Sequence, residues 1–320
     1  STLARLPADA PSVPGERAAR AELSTLDTAE KNALAYLIAQ QQPDGSVGRR
    51  YTVAVTALSG LAMLGAGDTP IKGPRQKEVA AAMNFVRSRQ GRDGHLPATG
   101  GSMYEHAFAT LFLAECLRVS GADMEAVAKL EVSVAKAVQL IVDAQHHEGG
   151  WRYQPGQPGD VSSTSCQLLA LDAAQRAEIK VPKATLDKAA AFLITCQNGN
   201  GGFSYMPAAG VASVTRTAAC ANSLFVAGKK DAKELGKARE FLRVHPAPEI
   251  SSAHYLYYAL FMSRVMARDD GKAEETWRAE TAKALLARQR DDGSWLGPMG
   301  QEYATAMTCL VLQARGPKDK

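Results

Sequence analysis

The chain lacks the charge asymmetry of a nucleic-acid binder. Its net charge is only +4 over 320 residues, and its lysines and arginines are dispersed rather than gathered into one basic face. It has no zinc-finger spacing and no phosphate-binding glycine fingerprint, so those binding classes fall away. Its five cysteines, Cys116, Cys166, Cys196, Cys220 and Cys309, make no Cys-x-x-Cys pair and no disulfide framework. They read as small buried apolar residues and leave the compartment undecided. No apolar run approaches the roughly 20 residues that a bilayer span requires. The chain starts at Ser1 without a methionine. That fits a leader or tag already removed, so the expectation is a soluble chain for which export stays open.

What the chain does have is repetition. Five glutamines each precede a turn and an apolar helix: Gln42-Pro43-Asp44-Gly45-Ser46, Gln90-Gly91-Arg92-Asp93-Gly94, Gln145 to Trp151, Gln197 to Phe203, and Gln289 to Trp295. The steps between them are 48, 55, 52 and 92 residues. The last is two periods of 46, which places a degenerate copy near Arg243-Val244-His245-Pro246. Six repeats then account for nearly all of the chain, and repetition on this scale decides architecture before any single residue is interpreted.

Each repeat reads as two helices. The one before the glutamine is amphipathic, as in Lys77 to Arg87 and Leu186 to Ile194. The one after the turn is apolar nearly all round, as in Ala107 to Ala114, Cys166 to Leu171 and Met307 to Leu312. A helix that is apolar on every side is buried on every side. Six polar-sided and six buried helices fit two concentric rings around a central bore, an all-α (α/α)6 toroid. The boundaries expected are an N-terminal arm over 1–26, the toroid over 27–315 and a polar tail over 316–320. The prominent Gln, Gly and Trp positions read as structural: Gln to bond backbone at the turn, and Trp151, Phe203 and Trp295 to plug gaps between repeats.

The Gln-x-Asp-Gly-Ser-Trp repeat followed by an apolar helix resembles the repeats of squalene and terpenoid cyclases, and equally those of protein prenyltransferase β-subunits. Gly149-Gly150-Trp151-Arg152-Tyr153, Pro158-Gly159-Asp160 and the helix start Tyr104-x-His106-Ala107 are similar to bacterial single-domain prenyltransferase and squalene-oxidase repeat proteins of unassigned activity. The resemblance covers about residues 28–314 and implies the toroid. It does not bring the chemistry with it. Class II cyclases protonate their substrate with the middle Asp of Asp-x-Asp-Asp. The nearest match here is Asp160-Val161-Ser162-Ser163-Thr164, where Ser162 stands at the acid's place. Asp160 then reads as the N-cap of the following helix. Prenyltransferases hold zinc with Asp, Cys and His. Only His254 matches, while Thr215-Arg216-Thr217 stands where Asp-x-Cys belongs. Zinc is therefore disfavoured, and the cofactor is otherwise left open.

Inner-helix starts converge at one end of a toroid. Read in register, they supply Tyr51, Tyr104, Glu105, His106, Asp160, Arg216, His254, Tyr255, Glu302 and Tyr303. His106, Glu105, Asp160 and His254 are the acid–base candidates. Tyr51, Tyr104, Arg152, Tyr153, Arg216, Tyr255 and Tyr303 are the substrate-binding candidates, a mixture of aromatic walls and few polar groups typical of small-molecule pockets. Each also has a structural reading: packing tyrosines, backbone-bonded histidines, carboxylates serving helix N-termini, and solvated His146 and His147. The leading function is a toroid that binds or transforms an isoprenoid-like or other hydrophobic small molecule, without a nucleic-acid partner or transmembrane segment. Two alternatives stay open, a carbohydrate-active (α/α)6 enzyme and a noncatalytic protein-interaction scaffold. Whether a protein partner or a second copy binds is also open.

Overall fold

The computed structural model describes residues 14–97, 101–121, 124–207, 210–268 and 272–314. Twelve helices occur among them: α1 Pro14–Ala39, α2 Thr52–Gly65, α3 Gln76–Ser88, α4 Met103–Val119, α5 Met124–Asp143, α6 Val161–Arg176, α7 Lys183–Thr195, α8 Val214–Val226, α9 Lys233–Val244, α10 Tyr255–Met266, α11 Lys272–Leu286 and α12 Gln301–Leu312. The even-numbered helices pack in a closed cycle, α2 on α4, α6, α8, α10, α12 and back to α2. The odd-numbered helices lie outside them, packed on the inner helices next to them in sequence, α9 chiefly on α8, and α1 closes the outer ring against α11 and α12. This is the expected (α/α)6 toroid.

The expected start of the helical body needs correction. Helix α1 begins at Pro14, thirteen residues ahead of the boundary drawn at 27. Proline suits a first helical turn because its missing N–H would have no partner there. The rest of the expected arm, residues 1–13, and the tail over 316–320 lie outside the described residues.

The inner helices are buried as their composition requires. Every residue from Val53 to Met63 of α2 is buried. Small residues set the spacing: a Cβ on Gly60 of α2 would overlap the Phe112 ring of α4. All five cysteines are free and buried among these contacts.

The repeated glutamines act as clasps between repeats. Gln90 Nε2 donates to Gly94 O at 3.1 Å within its turn and to Ser133 O at 2.8 Å on α5. Gln145 does the same to Gly149 O and Thr185 O, and Gln197 to Gly201 O and Glu234 O. Gln289 bonds Gly293 O and then Ala29 O, 260 residues back, so the same device closes the ring. In the first repeat the clasp is Gln41, not Gln42: Gln41 bonds Gly45 O and Glu78 O, while Gln42 turns back to Gln40 O.

The turn glycines complete the joint. Gly45, Gly94, Gly149, Gly201 and Gly293 all have φ between 85° and 101°, a region costly to other residues. A Cβ on any of them would strike a carbonyl of the next outer helix, at Ala81, Lys136, Lys188, Lys237 and Asn32 respectively. Each of those carbonyls lies three residues beyond the one its glutamine binds. The sixth joint has neither part. Helix α9 ends at Val244, and His245 bonds Phe241 O through Nδ1 at 2.8 Å and stacks on that ring.

Behind each turn sits a buried apolar anchor. Trp151 Nε1 donates to Ile141 O and Trp295 Nε1 to Leu285 O, both at 2.7 Å. The anchor's own N–H points at the first turn of the following inner helix. Val47, Trp151, Phe203 and Trp295 donate to the hydroxyls of Thr56, Thr164, Thr217 and Thr305 at 2.8–3.0 Å.

Candidate functional site

That last pattern decides the place of His106. In its repeat the anchor is Leu96, whose N–H donates to His106 Nδ1 at 3.1 Å, so the histidine fills the slot that threonine fills in four other repeats. Its Nε2 donates to Ala137 O at 3.0 Å, which leaves Nδ1 as the acceptor for Leu96. The ring is fully buried, and burial lowers its pKa to about 3. Both nitrogens are occupied by backbone and the ring stays neutral, so His106 is corrected from an acid–base candidate to a core histidine. His254 is exposed at the N-cap of α10 and does not share a site with it.

Glu105 is likewise spent on structure. It is 8% exposed, and the backbone N–H groups of Ser102 and Ala54 lie against its carboxylate. It stands at the N-terminal ends of α4 and α2 together, where a carboxylate complements both helix dipoles. Burial nevertheless raises its pKa.

Arg216 is also corrected. Its Nη2 donates to Val211 O at 2.6 Å and its Nε to Phe203 O at 3.4 Å, so the guanidinium pins the loop before α8 to itself. Tyr255 faces outward: it is 7% exposed, with Thr281 of α11 against its hydroxyl and Tyr258 beside its ring. Tyr51 is 45% exposed at the start of α2, with φ of 50° and the Arg50 guanidinium over its ring.

Asp160, Arg152, Tyr153 and Tyr104 do come together. Asp160 caps α6 as expected, its Oδ1 accepting from Ser163 N at 2.8 Å. Its Oδ2 accepts from Tyr205 OH at 2.9 Å, and Arg152 Nε lies 3.9 Å away. Tyr205 OH meets Tyr153 OH at 2.9 Å, and the Tyr153 ring lies 6.1 Å from that of Tyr104. Arg152 stands over both the Tyr153 and Tyr205 rings. Backbone and hydroxyl bonds fix the cluster to the helices: Met103 N donates to Tyr153 O, and Ser163 Oγ to Arg152 O. Burial raises the Asp160 pKa, against the opposing pull of Ser163, Tyr205 and Arg152.

Tyr257, which the register reading missed, reaches across the bore. From α10 its hydroxyl donates to Ser162 O of α6 at 2.8 Å, with Cys166 Sγ 3.8 Å away. Tyr104 of α4 has Ser162 beside its hydroxyl, and Tyr303 of α12 feels Cys166 from the far side of the ring. Burial raises the pKa of all three tyrosines, yet each keeps partial solvent access. The three tyrosines are thus part-buried groups gathered near the start of α6. Aromatic faces and neutral hydroxyls at such a place suit an apolar or electron-poor guest.

Both missed tyrosines left a signal in the sequence. Counted from the N-caps His254 and Gly300, Tyr257 and Tyr303 hold the same third helical position. Tyr205 follows Phe203 as Tyr153 follows Trp151. Among the described residues no three His, Cys, Asp or Glu side chains converge as a metal cage, and no helix is long and apolar enough to cross a membrane.

Comparison with known proteins places this geometry. The family model of the prenyltransferase alpha-alpha toroid domain matches residues 31–246. Drimenyl diphosphate synthase of Streptomyces showdoensis is 27% identical over 186 residues, 56% of this chain and 33% of the synthase, so the matched stretch spans about a third of that relative. The type II terpene cyclase MstE from Scytonema, in complex with merosterolic acid A (product), superposes with a TM-score of 0.62 at 14% identity over 92% of this chain and 97% of its own. An inactive variant of the α-1,6-mannanase GH76A of Salegentibacter sp. HEL1_6, in complex with α-1,6-mannotriose, gives 0.67 at 8% identity over 91% and 98%. At those identities the structural likenesses speak to the fold alone.

Proposed function

The chain belongs to the prenyltransferase alpha-alpha toroid domain family, and from that premise we propose that it binds an isoprenoid-like hydrophobic small molecule at the N-terminal mouth of its bore. The observation that carries this reading is the set of three tyrosines, Tyr104, Tyr257 and Tyr303, brought from three inner helices toward Ser162 and Cys166 of α6. Their ring faces give an apolar chain contact area and give electron-poor carbon a favourable electrostatic surface. MstE, a terpene cyclase of the same fold, is seen with geranylgeranyl dihydroxybenzoate as substrate, which makes an isoprenoid guest the natural first probe.

The reading is of binding rather than class II cyclisation. Ser162 stands where the cyclase acid would be, and a serine hydroxyl cannot protonate an alkene. Asp160 is no substitute, because its two oxygens serve the α6 cap, Tyr205 and Arg152. The same accounting weighs against glycoside hydrolysis, which in most families needs two carboxylates free to flank the sugar bond. Glu105 and Asp160 are both committed to helix N-termini.

A thermal-shift panel tests the proposal: geranylgeraniol and squalene in detergent, prenyl diphosphates, and α-1,6-manno-oligosaccharides. Saturation at a hundred times the dissociation constant stabilises by about 2.7 kcal/mol, a shift of a few degrees. Stabilisation by isoprenoids, weakened at least tenfold by Tyr257→Leu or Tyr303→Leu, is the expected result. Stabilisation by the oligosaccharides alone overturns it.

A further inference from the structure

The opposite end of the inner ring is built from other chemistry. Arg176 closes α6 and pairs with Glu115 of α4 at 2.7 Å and Asp172 at 3.3 Å. Arg118 shares Glu115 at 2.9 Å. Those two carboxylates are thus already held. Arg264 and Arg268, from α10 and its end, make no ion pair among the described residues; Asp172 acts on both, and Glu115 on Arg264, only at longer range. Arg264 Nη1 donates to Leu260 O at 2.8 Å. Arg268 Nη1 donates to Asn222 Oδ1 at 2.6 Å and Arg264 O at 2.9 Å, with its guanidinium 4.3 Å over the Phe225 ring. Asn222 is 1% exposed, and its Nδ2 finds no acceptor.

We propose that this C-terminal end of the ring binds a phosphoryl oxyanion, held by Arg264, Arg268, Arg176 and the Asn222 amide. A guanidinium has five N–H donors, and the bonds above use few of those on Arg264 and Arg268. Arginine forks match phosphoryl oxygens in pairs. The donors flank the C-terminal part of α8: Asn222 and Phe225 lie on α8, with Arg176 at the end of α6 on one side and Arg264 and Arg268 near the end of α10 on the other. Burial, and after it repulsion from Arg268 and Arg176, lowers the Arg264 pKa to about 10 against the opposing pull of Asp172 and Glu115, and an anion would relieve that repulsion. It would also supply the missing acceptor for Asn222. A phosphoryl group fits better than a carboxylate, because it offers more oxygens and up to two charges to a cluster of four arginines in which two carboxylates are paired with Arg118 and Arg176. The site is distinct from the tyrosine mouth and stands independently of the isoprenoid reading.

Isothermal titration with inorganic pyrophosphate and with farnesyl monophosphate, against sodium chloride at matched ionic strength, tests it. Asn222→Asp is the key variant, being isosteric and placing a competing carboxylate on Arg268. The doubly substituted Arg264→Gln/Arg268→Gln chain is the second. Both should weaken phosphoryl binding at least tenfold and leave geranylgeraniol binding unchanged. Binding of both probes assigns the site to a free anion. Binding of farnesyl monophosphate alone, still lost in Asn222→Asp, assigns it to a lipid head group. No binding of either probe, or equal binding by wild type and both variants, overturns the proposal and leaves the arginines as caps for helix C-termini. Asp269 and Asp270 follow Arg268 in sequence and lie outside the described residues. If only the Asp269→Asn/Asp270→Asn chain bound pyrophosphate, those carboxylates would be the arginines' partners and the proposal would fail.

Discussion

The outer turns and the mouth of the bore are built by opposite rules. At five of the six turns the same residues make the same contacts: glutamine to two carbonyls, glycine against a third. At the mouth the inner helices do not all contribute the same group: α4, α10 and α12 give Tyr104, Tyr257 and Tyr303, while α6 gives Ser162. A role filled identically in each repeat holds the ring together. A position where the repeats diverge is free of that duty and can serve a ligand. His106 shows how the test works. It looks chemically special, yet it fills a slot where threonine makes the equivalent bond in four other repeats.

The sharpest way to break this comparison is to delete an anchor. Trp151→Ala removes a fully buried side chain and its bond to Ile141 O, and should cost about 3–5 kcal/mol in urea unfolding. A loss below about 1 kcal/mol would mean that the turns do not hold the ring.

Acid stability tests the slot next. The folded pKa of His106, about 3, lies below its ordinary 6.5, so the unfolded chain takes up the proton first as pH falls. The stability from the neutral ring is full above about pH 6.5 and drains toward pH 3, at about 1.4 kcal/mol per unit. Wild type should therefore lose about 2 kcal/mol more than His106→Thr between pH 6.5 and 5. Equal slopes for the two chains would remove His106 from the core.

The clasp gives a smaller and more pointed contrast. Gln41→Ala and Gln145→Ala each strip bonds from two carbonyls and should cost about 1–2 kcal/mol. Gln42→Ala should stay within about 0.5 kcal/mol, as an ordinary surface change does. A reversal of Gln41 and Gln42 would undo the assignment of the clasp. At the mouth the contrast runs the other way. Tyr257→Phe loses one bond to Ser162 O and should cost only about 1 kcal/mol of stability. Tyr257→Leu, which also removes the ring face, should show its effect in isoprenoid affinity. A large stability loss with unchanged affinity would return Tyr257 to the core.

Much of the candidate site was legible, though at uneven depth. Asp160 as a cap, and Tyr104, Arg152, Tyr153 and Tyr303 as groups near inner-helix starts, could be read from the repeat register. Tyr255 was chosen, but Tyr257 is the one that faces the bore, because two residues turn a helical side chain by about 200° and exchange the outer face for the inner. Arg216 was read as a ligand group, but its reach ends on the carbonyls of its own loop. No periodicity reports how a loop folds back.

By itself the sequence determined the number of repeats, the two classes of helix and the turn glycines, because a period of about 50 residues with alternating amphipathic and apolar segments can bury its surface in few ways. Only the tertiary structure decided which groups meet across the ring. Tyr257 and Ser162 are 95 residues apart in the chain and Gln289 and Ala29 are 260 apart. Contacts of that range depend on the rotation of each helix about its axis, which the close packing of the whole ring sets and no local pattern encodes.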